Sequence, residues 1–157
     1  MIICNSGPLI TLSKIGYLHL LPAIFGRIFI PEAVYNEVVE NGAGLPGAEE
    51  VRNADFIRVL KVENQLAVNI LLGHLDLGET EVIVLAKEKN AKAVLLDDRK
   101  ARTYARGADI EVFGTMFVLY SGLRRGLIKD SYEELLTKLH RAGMRIADHI
   151  VARLYEQ

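Results

Sequence analysis

At 157 residues, 50% of them apolar and 25% charged, the chain fits one globular domain that buries a substantial core without staples. Its single cysteine, Cys4, excludes a disulfide framework and a cysteine zinc cluster, and a formal net charge of −1 argues against a general polyanion binder, so a nucleic-acid role has to use a local basic patch. No segment has the roughly 18 unbroken apolar residues of a membrane span. The apolar start at Ile2 is too short, and lacks the basic flank, of a signal peptide, so the expected setting is the cytoplasm with no membrane partner.

Ile2-Ile3-Cys4 reads as a short strand ending at Asn5-Ser6-Gly7-Pro8, after which Leu9, Ile10 and Leu12 open a helix. Asn5 thus takes a strand-end position, where an asparagine is most often a turn or cap residue. A second short helix spans Tyr17 to Phe25, Arg27 to Ile30 reads as the next strand, and Pro31 starts a helix at its favoured first position. The inward stripe of that helix runs Ile30, Ala33, Val34, Glu37 and Val38, so Glu37 interrupts an apolar face. A carboxylate there has to be solvated at a cleft edge, paired, or bound to something. Glu32 and Glu40 read as solvated. A Gly-rich loop, Asn41 to Gly47, leads to a short helix (Ala48 to Ala54), a strand (Phe56 to Leu60) and a helix from Asn64 to Leu72.

From Gly78 a strongly apolar helix follows, with Glu79 at the start of its buried face, where an acid also suits the positive end of the helix dipole. Ala93-Val94-Leu95-Leu96 then reads as a buried strand that runs straight into Asp97-Asp98, and Ala101, Tyr104 and Ala105 recur at helical spacing beyond it. The crevice beyond the carboxyl ends of a parallel sheet is where ligands bind, so both aspartates point into the expected site; Asp98 also suits a helix N-cap and Asp97 a solvated turn. Asp109 to Phe113 forms a last strand, Gly114-Thr115 turns into an apolar helix reaching Leu123, and Ser131 with Glu134 makes a capping box for a helix to His140. Ala147, Ile150, Val151 and Leu154 line a C-terminal helix. With no repeat, low-complexity tract or linker, this alternation predicts an α/β fold with a mainly parallel sheet of four or five strands flanked by helices. Residues 1–157 read as a single domain, with 130–157 a C-terminal helical extension packed on it.

Asn5, Glu37, Glu79, Asp97 and Asp98 are oxygen donors at strand ends or helix starts, whereas His19, His74, His140 and His149 fall outside these positions. Oxygen-only ligation selects Mg²⁺ or Mn²⁺ over zinc, carboxylates sharing a cleft repel unless a cation holds them, and such an ion activates water and neutralises a phosphodiester oxygen. No Walker loop, Gly-x-Ser-x-Gly elbow or dinucleotide fingerprint competes. The basic patch is Arg99, Lys100, Arg102 and Arg106 on the helix after the elbow, with Arg124 and Arg125 as further candidates; a plainly solvated helix face is the competing reading. Met116, Phe117, Leu119 and Tyr120, with the C-terminal stripe, offer an apolar surplus suited to a homodimer or a small protein partner.

Five stretches in order, Cys4-Asn5-Ser6-Gly7-Pro8-Leu9-Ile10, Pro31-Glu32-Ala33-Val34-Tyr35-Asn36-Glu37-Val38, Leu77-Gly78-Glu79-Thr80-Glu81, Leu96-Asp97-Asp98-Arg99-Lys100-Ala101-Arg102 and Phe113-Gly114-Thr115, resemble the successive motifs of PIN-domain proteins. The nearest likeness is to a prokaryotic branch of predicted nucleic-acid-binding proteins related to VapC-type toxins. The resemblance implies a PIN-like three-layer sandwich and a Mg²⁺- or Mn²⁺-dependent ribonuclease, a fold shared with the toxin halves of toxin–antitoxin pairs, with RNA and a small antitoxin as partners. It places metal-ligand and catalytic roles on Asn5 and on Asp97 or Asp98, with Glu37 and Glu79 completing the acidic pocket and Ser6 and Thr115 as supporting hydroxyls. Asn5 departs from the family's usual aspartate, and an amide oxygen ligates a hard ion without contributing charge. A PIN-like module that binds RNA or a protein without cutting is therefore the second reading. A receiver domain fits poorly, since its acidic pair follows the first strand.

Overall fold

Five parallel strands, β1 (Ile2–Cys4), β2 (Ile28–Pro31), β3 (Ile57–Leu60), β4 (Ala93–Leu95) and β5 (Glu111–Phe113), lie in the order β3-β2-β1-β4-β5 in the computed structural model, which describes residues 1–156. The central strands β1 and β4 are apolar and buried at every position, as a strand covered on both faces requires, whereas the edge strands β3 and β5 carry exposed Arg58, Val59 and Glu111. Ile3 is in register with Phe29 on one side and Val94 on the other. Chain order steps outward from β1 to β2 and β3, then returns to β4 and leaves in the opposite direction. The reversal falls between β1 and β4, and beyond the carboxyl ends of strands at such a reversal is where open parallel sheets form their crevice.

Because parallel crossovers are right-handed, the two directions of travel put their helices on opposite faces of the sheet. The β1-to-β2 crossover holds α1 (Ser6–Lys14) and α2 (Leu20–Phe25); the other direction uses α6 (Leu77–Lys89) and α7 (Arg99–Gly107). Between β2 and β3 run α3 (Glu32–Tyr35), a π-helical turn (Asn36–Glu40) and α4 (Ala48–Arg52), and α5 (Gln65–Leu71) leads into α6. After β5 come α8 (Thr115–Arg124), α9 (Tyr132–Arg141) and α10 (Asp148–Leu154). This is the three-layer α/β sandwich expected. No helix among the described residues is long and apolar enough to cross a membrane.

Leu135 and Leu139 of α9 and Val151 of α10 are fully buried in the same core as the strands. The Tyr17 hydroxyl donates to Asp130 Oδ2 at 2.5 Å, Lys138 Nζ reaches the same oxygen at 2.7 Å, and the Tyr155 hydroxyl donates to the Asp130 carbonyl. Both C-terminal helices are thereby tied to the turn before α2.

Several boundaries shift from the sequence reading for local reasons. The first helix begins at Ser6 rather than Leu9, because Pro8 fits a first turn that needs no amide donor. Pro31 closes β2 instead of opening the next helix, pairing with Leu60 at the end of the β2–β3 ladder. Leu119, expected on an apolar surface, is fully buried; Phe117, stacked on Phe113 at 4.2 Å, and Tyr120 remain exposed.

Candidate acidic cleft at the β1–β4 crevice

Asn5 and the Asp97-Asp98 pair flank the crevice, since they follow β1 and β4 directly and the Asn5 amide donates to Leu95 O at 3.0 Å. Asn5 stands at the N-cap of α1, yet its side chain makes no cap bond. It is buried, at 8% exposure, and its Oδ1 has no hydrogen-bond partner. An asparagine cap is worth about 1 kcal/mol, and an unmet buried acceptor costs about 1–3 kcal/mol. Both are given up here to leave one oxygen facing the cleft.

Glu79 lies in the first turn of α6, next to Gly78. Asp76 caps that helix through a reciprocal box: Glu79 N–H donates to Asp76 Oδ1 at 2.8 Å, and Asp76 N–H donates to Glu79 Oε1 at 3.3 Å. The helix-start role is therefore real and uses one oxygen, while Glu79 Oε2 is buried without a partner. Burial, and then the adjacent Asp76 carboxylate with a smaller push from Asp98, raises the Glu79 carboxyl from 4.5 to about 8. Asp76 was not singled out in the sequence, although Asp76-Leu77-Gly78-Glu79 spells the box.

Glu37 reaches the same place from the π-helical turn, where Asn41 N–H donates to Asn36 O at 2.7 Å, five residues back. Such a turn re-aims side chains and is frequent at functional sites. Glu37 is exposed, resolving the sequence ambiguity in favour of a cleft rim, and its Oε2 leans over Gly78. A Cβ at Gly78 would lie 3.1 Å from Glu37 Oε2, 3.3 Å from Asn5 Oδ1 and 3.6 Å from Asp76 Oδ1. Gly78 is the bare floor on which these oxygens converge. Glu81, from the same motif, does something else: its Oε1 accepts from Ala33 N–H at the start of α3.

The two aspartates of the elbow are placed differently. Asp98 caps α7, with Oδ1 accepting from Ala101 N–H at 2.9 Å, and its charge bears on Glu79. Asp97 is clamped by Thr115, accepting from its N–H at 2.8 Å and its hydroxyl at 2.6 Å. It also faces β1: its charge, after burial, raises the Cys4 thiol. Ser6 is buried beside Asn5 at the first position of α1 and shows no hydrogen bond to these side chains.

Of the basic residues, Arg99, Arg102 and Arg106 line a cavity of about 270 Å³ together with Asp97, whereas Lys100 lies outside it. Arg99 and Lys100 sit in the first turn of α7 with no acidic residue there, against the positive end of the helix dipole, at a cost of about 0.3–1 kcal/mol each. Arg124 and Arg125 do not join them. They end α8, whose first residue is Thr115, and Arg125 donates to Ala23 O.

Among the described residues no three His, Cys, Asp or Glu side chains form a ready-made metal-binding group. The donor set still fits a hydrated divalent ion. Mg²⁺ keeps several waters and takes one or two carboxylates rather than a full protein cage, and the cleft offers two unpartnered buried oxygens of which one is an amide. No curated protein matches the chain. A family profile described as a PIN domain matches residues 1–157, and the chain belongs to the PIN-domain family.

Proposed function

We propose that the chain is a Mg²⁺- or Mn²⁺-dependent ribonuclease that hydrolyses RNA phosphodiester bonds in the cleft between β1 and β4. The observation that carries this reading is the pair of buried oxygens, Asn5 Oδ1 and Glu79 Oε2, left without partners. Folded proteins satisfy nearly all such groups, so two in one acidic cleft point to a ligand that completes them. Asn5, Glu79 and Asp98 would hold the ion, with Asp97 the further candidate from the elbow. When bound, the ion supplies a water of lowered pKa and charge neutralisation at the phosphate. Glu79 would have to be deprotonated to hold the ion, Glu37 at the exposed rim would accept a proton from the attacking water, and Thr115 fixes Asp97. Arg99, Arg102 and Arg106 carry the strand's phosphates, while Lys100 stands outside their cavity. A toxin role with a small antitoxin partner, a homodimer, a cytoplasmic setting and residues 1–157 acting as one domain extend the same reading.

Asn5 favours one other reading, a module that binds RNA or a protein without cleavage, because an amide holds a hard cation more weakly than a carboxylate. Cleavage of pooled structured and unstructured RNAs with Mg²⁺, Mn²⁺ or EDTA, together with metal-dependent melting, separates the two for wild type and Asn5→Asp. The ribonuclease reading expects weak Mn²⁺-supported cleavage in wild type and a gain of roughly tenfold or more in Asn5→Asp with tighter metal binding, because one charge is restored at the ion. The binding-module reading expects no cleavage from either, and a lower melting temperature of Asn5→Asp without metal. Strong wild-type cleavage abolished by Asn5→Asp contradicts both.

A further inference from the structure

Three arginines at spacings of three and four, Arg99, Arg102 and Arg106, share one face of α7 and wall a single cavity. Like charges so arranged repel one another, and among the described residues none of the three guanidinium groups has a hydrogen bond or ion pair. Arg102 is half-buried and passes close to the Gly114 backbone: its Nη1 lies 2.8 Å, and Asp97 Oδ1 2.9 Å, from the point a Cβ on Gly114 would occupy. Among the described residues the acidic side chain lining the cavity is Asp97, and both its oxygens already accept hydrogen bonds from Thr115. The cavity therefore keeps a cationic excess. At about 270 Å³ it takes several waters at roughly 30 Å³ each, or one hydrated phosphate group. It also begins at Asp97, next in sequence to Asp98 of the acidic cleft.

We propose that this cavity is a phosphate pocket. It holds the phosphate next along the RNA strand from the one at the acidic cleft, and so fixes where the cut falls. Planar guanidinium groups suit a phosphate's oxygens, and three of them meet its charge without the cation that the cleft needs. The phosphate is either an internal phosphodiester or a terminal monophosphate. The proposal rests on the ribonuclease reading only for the identity of the strand, since the pocket's affinity for phosphate follows from the arginines alone.

The test uses the full chain in EDTA, so that cleavage plays no part. Inorganic phosphate is added in thermal melts against chloride at equal ionic strength. Binding of a labelled unstructured six-nucleotide RNA is then followed by anisotropy, with the RNA bearing a 5′-phosphate, a 3′-phosphate or neither. Wild type is compared with Arg102→Gln, Arg106→Gln and Lys100→Gln, the last removing a cation of the same helix outside the cavity. Phosphate should raise the melting temperature of wild type and Lys100→Gln but not of the arginine variants. RNA affinity should fall roughly tenfold in each arginine variant, with the salt slope reduced by about 0.7, and stay within about threefold in Lys100→Gln. A wild-type preference for a phosphorylated end that disappears in the arginine variants assigns the pocket to a strand terminus; equal binding of the three RNAs assigns it to an internal phosphate. Phosphate stabilisation that survives in both arginine variants, or RNA affinities no lower than that of Lys100→Gln, overturns the pocket. A wild type stabilised by phosphate through Arg102 and Arg106 that binds no RNA keeps the pocket and removes the ribonuclease reading.

Discussion

Replacing Gly78 by alanine separates the cleft's function from the chain's stability. Gly78 is the second residue of α6, where alanine is intrinsically better by about 0.8–1 kcal/mol. Its backbone is ordinary helix, so the glycine is needed for space and not for conformational freedom. The new Cβ would lie 3.1 Å from Glu37 Oε2 and 3.3 Å from Asn5 Oδ1, and each oxygen has to retreat by a few tenths of an ångström. Glu37 is exposed and gives way for about 0.5–1.5 kcal/mol of off-rotamer strain, which roughly cancels the helix gain. The melting temperature should therefore stay within about 4 °C of wild type. A metal site tolerates only about 0.2 Å in its ligand distances, so Mn²⁺ affinity should fall by about tenfold or more. Calorimetric Mn²⁺ titration beside a metal-free melt measures both. A Gly78→Ala chain that binds Mn²⁺ as tightly as wild type would refute the convergence of Asn5 and Glu37 on this floor.

Two further outcomes follow from the cleft. Glu79 carries a folded-state value near 8 against 4.5 when unfolded, so its favourable contribution is complete below pH 4.5 and is lost as pH rises through about 8. Metal-free protein should lose about 2–3 kcal/mol over that range, allowing for water at the cleft mouth; Glu79→Gln should flatten the profile, and Mn²⁺ at pH 7 should release a proton on binding. A metal-free wild type whose pH profile matches that of Glu79→Gln would remove the burial account of this carboxyl. Thr115→Val deletes the 2.6 Å hydroxyl bond to Asp97 but keeps the backbone donor, so it should cost about 1–2 kcal/mol that Thr115→Ser retains. Equal melting of the two variants would show that the hydroxyl does not position Asp97.

The sheet was legible because its centre is written as unbroken apolar triplets, Ile2-Ile3-Cys4 and Ala93-Val94-Leu95, which in a chain of this pattern can only be buried parallel strands. Asn5, Glu79 and the Asp97-Asp98 pair were legible as strand-end or helix-start oxygens. What periodicity could not show is the π-helical turn at Asn36–Glu40, because one added residue per turn carries Glu37 off the 3.6-residue stripe on which it was read. Nor could it divide the basic residues, since Lys100 differs from Arg99 and Arg102 only by its angle around α7 relative to the cavity that begins at Asp97. Gly78 and Gly114 were passed over for a related reason. A glycine read in sequence suggests a turn, and here each matters for what a Cβ would touch across the fold.

In the acidic residues of this cleft, capping a helix does not use up the whole side chain. A carboxylate has two oxygens. Asp98 commits Oδ1 to Ala101 N–H, and Glu79 commits Oε1 to Asp76 N–H, so each is anchored to a helix start and keeps its other oxygen. On the metal-dependent reading, anchoring of this kind orients the groups beforehand and removes much of the ordering cost that binding an ion would carry. Asn5 has a single acceptor oxygen and cannot be divided in this way. It forgoes the cap of α1 altogether and leaves Oδ1 to the cleft. Its neutrality also has a consequence for its neighbours: with a carboxylate at position 5, the Asp76, Glu79 and Asp98 cluster would gain a further negative charge, and the Glu79 carboxyl would rise above its value near 8. On the ribonuclease reading proposed above, the amide keeps the metal-free cleft less strained while weakening its hold on a cation, which would tie the stability and the activity of this chain to the same atom.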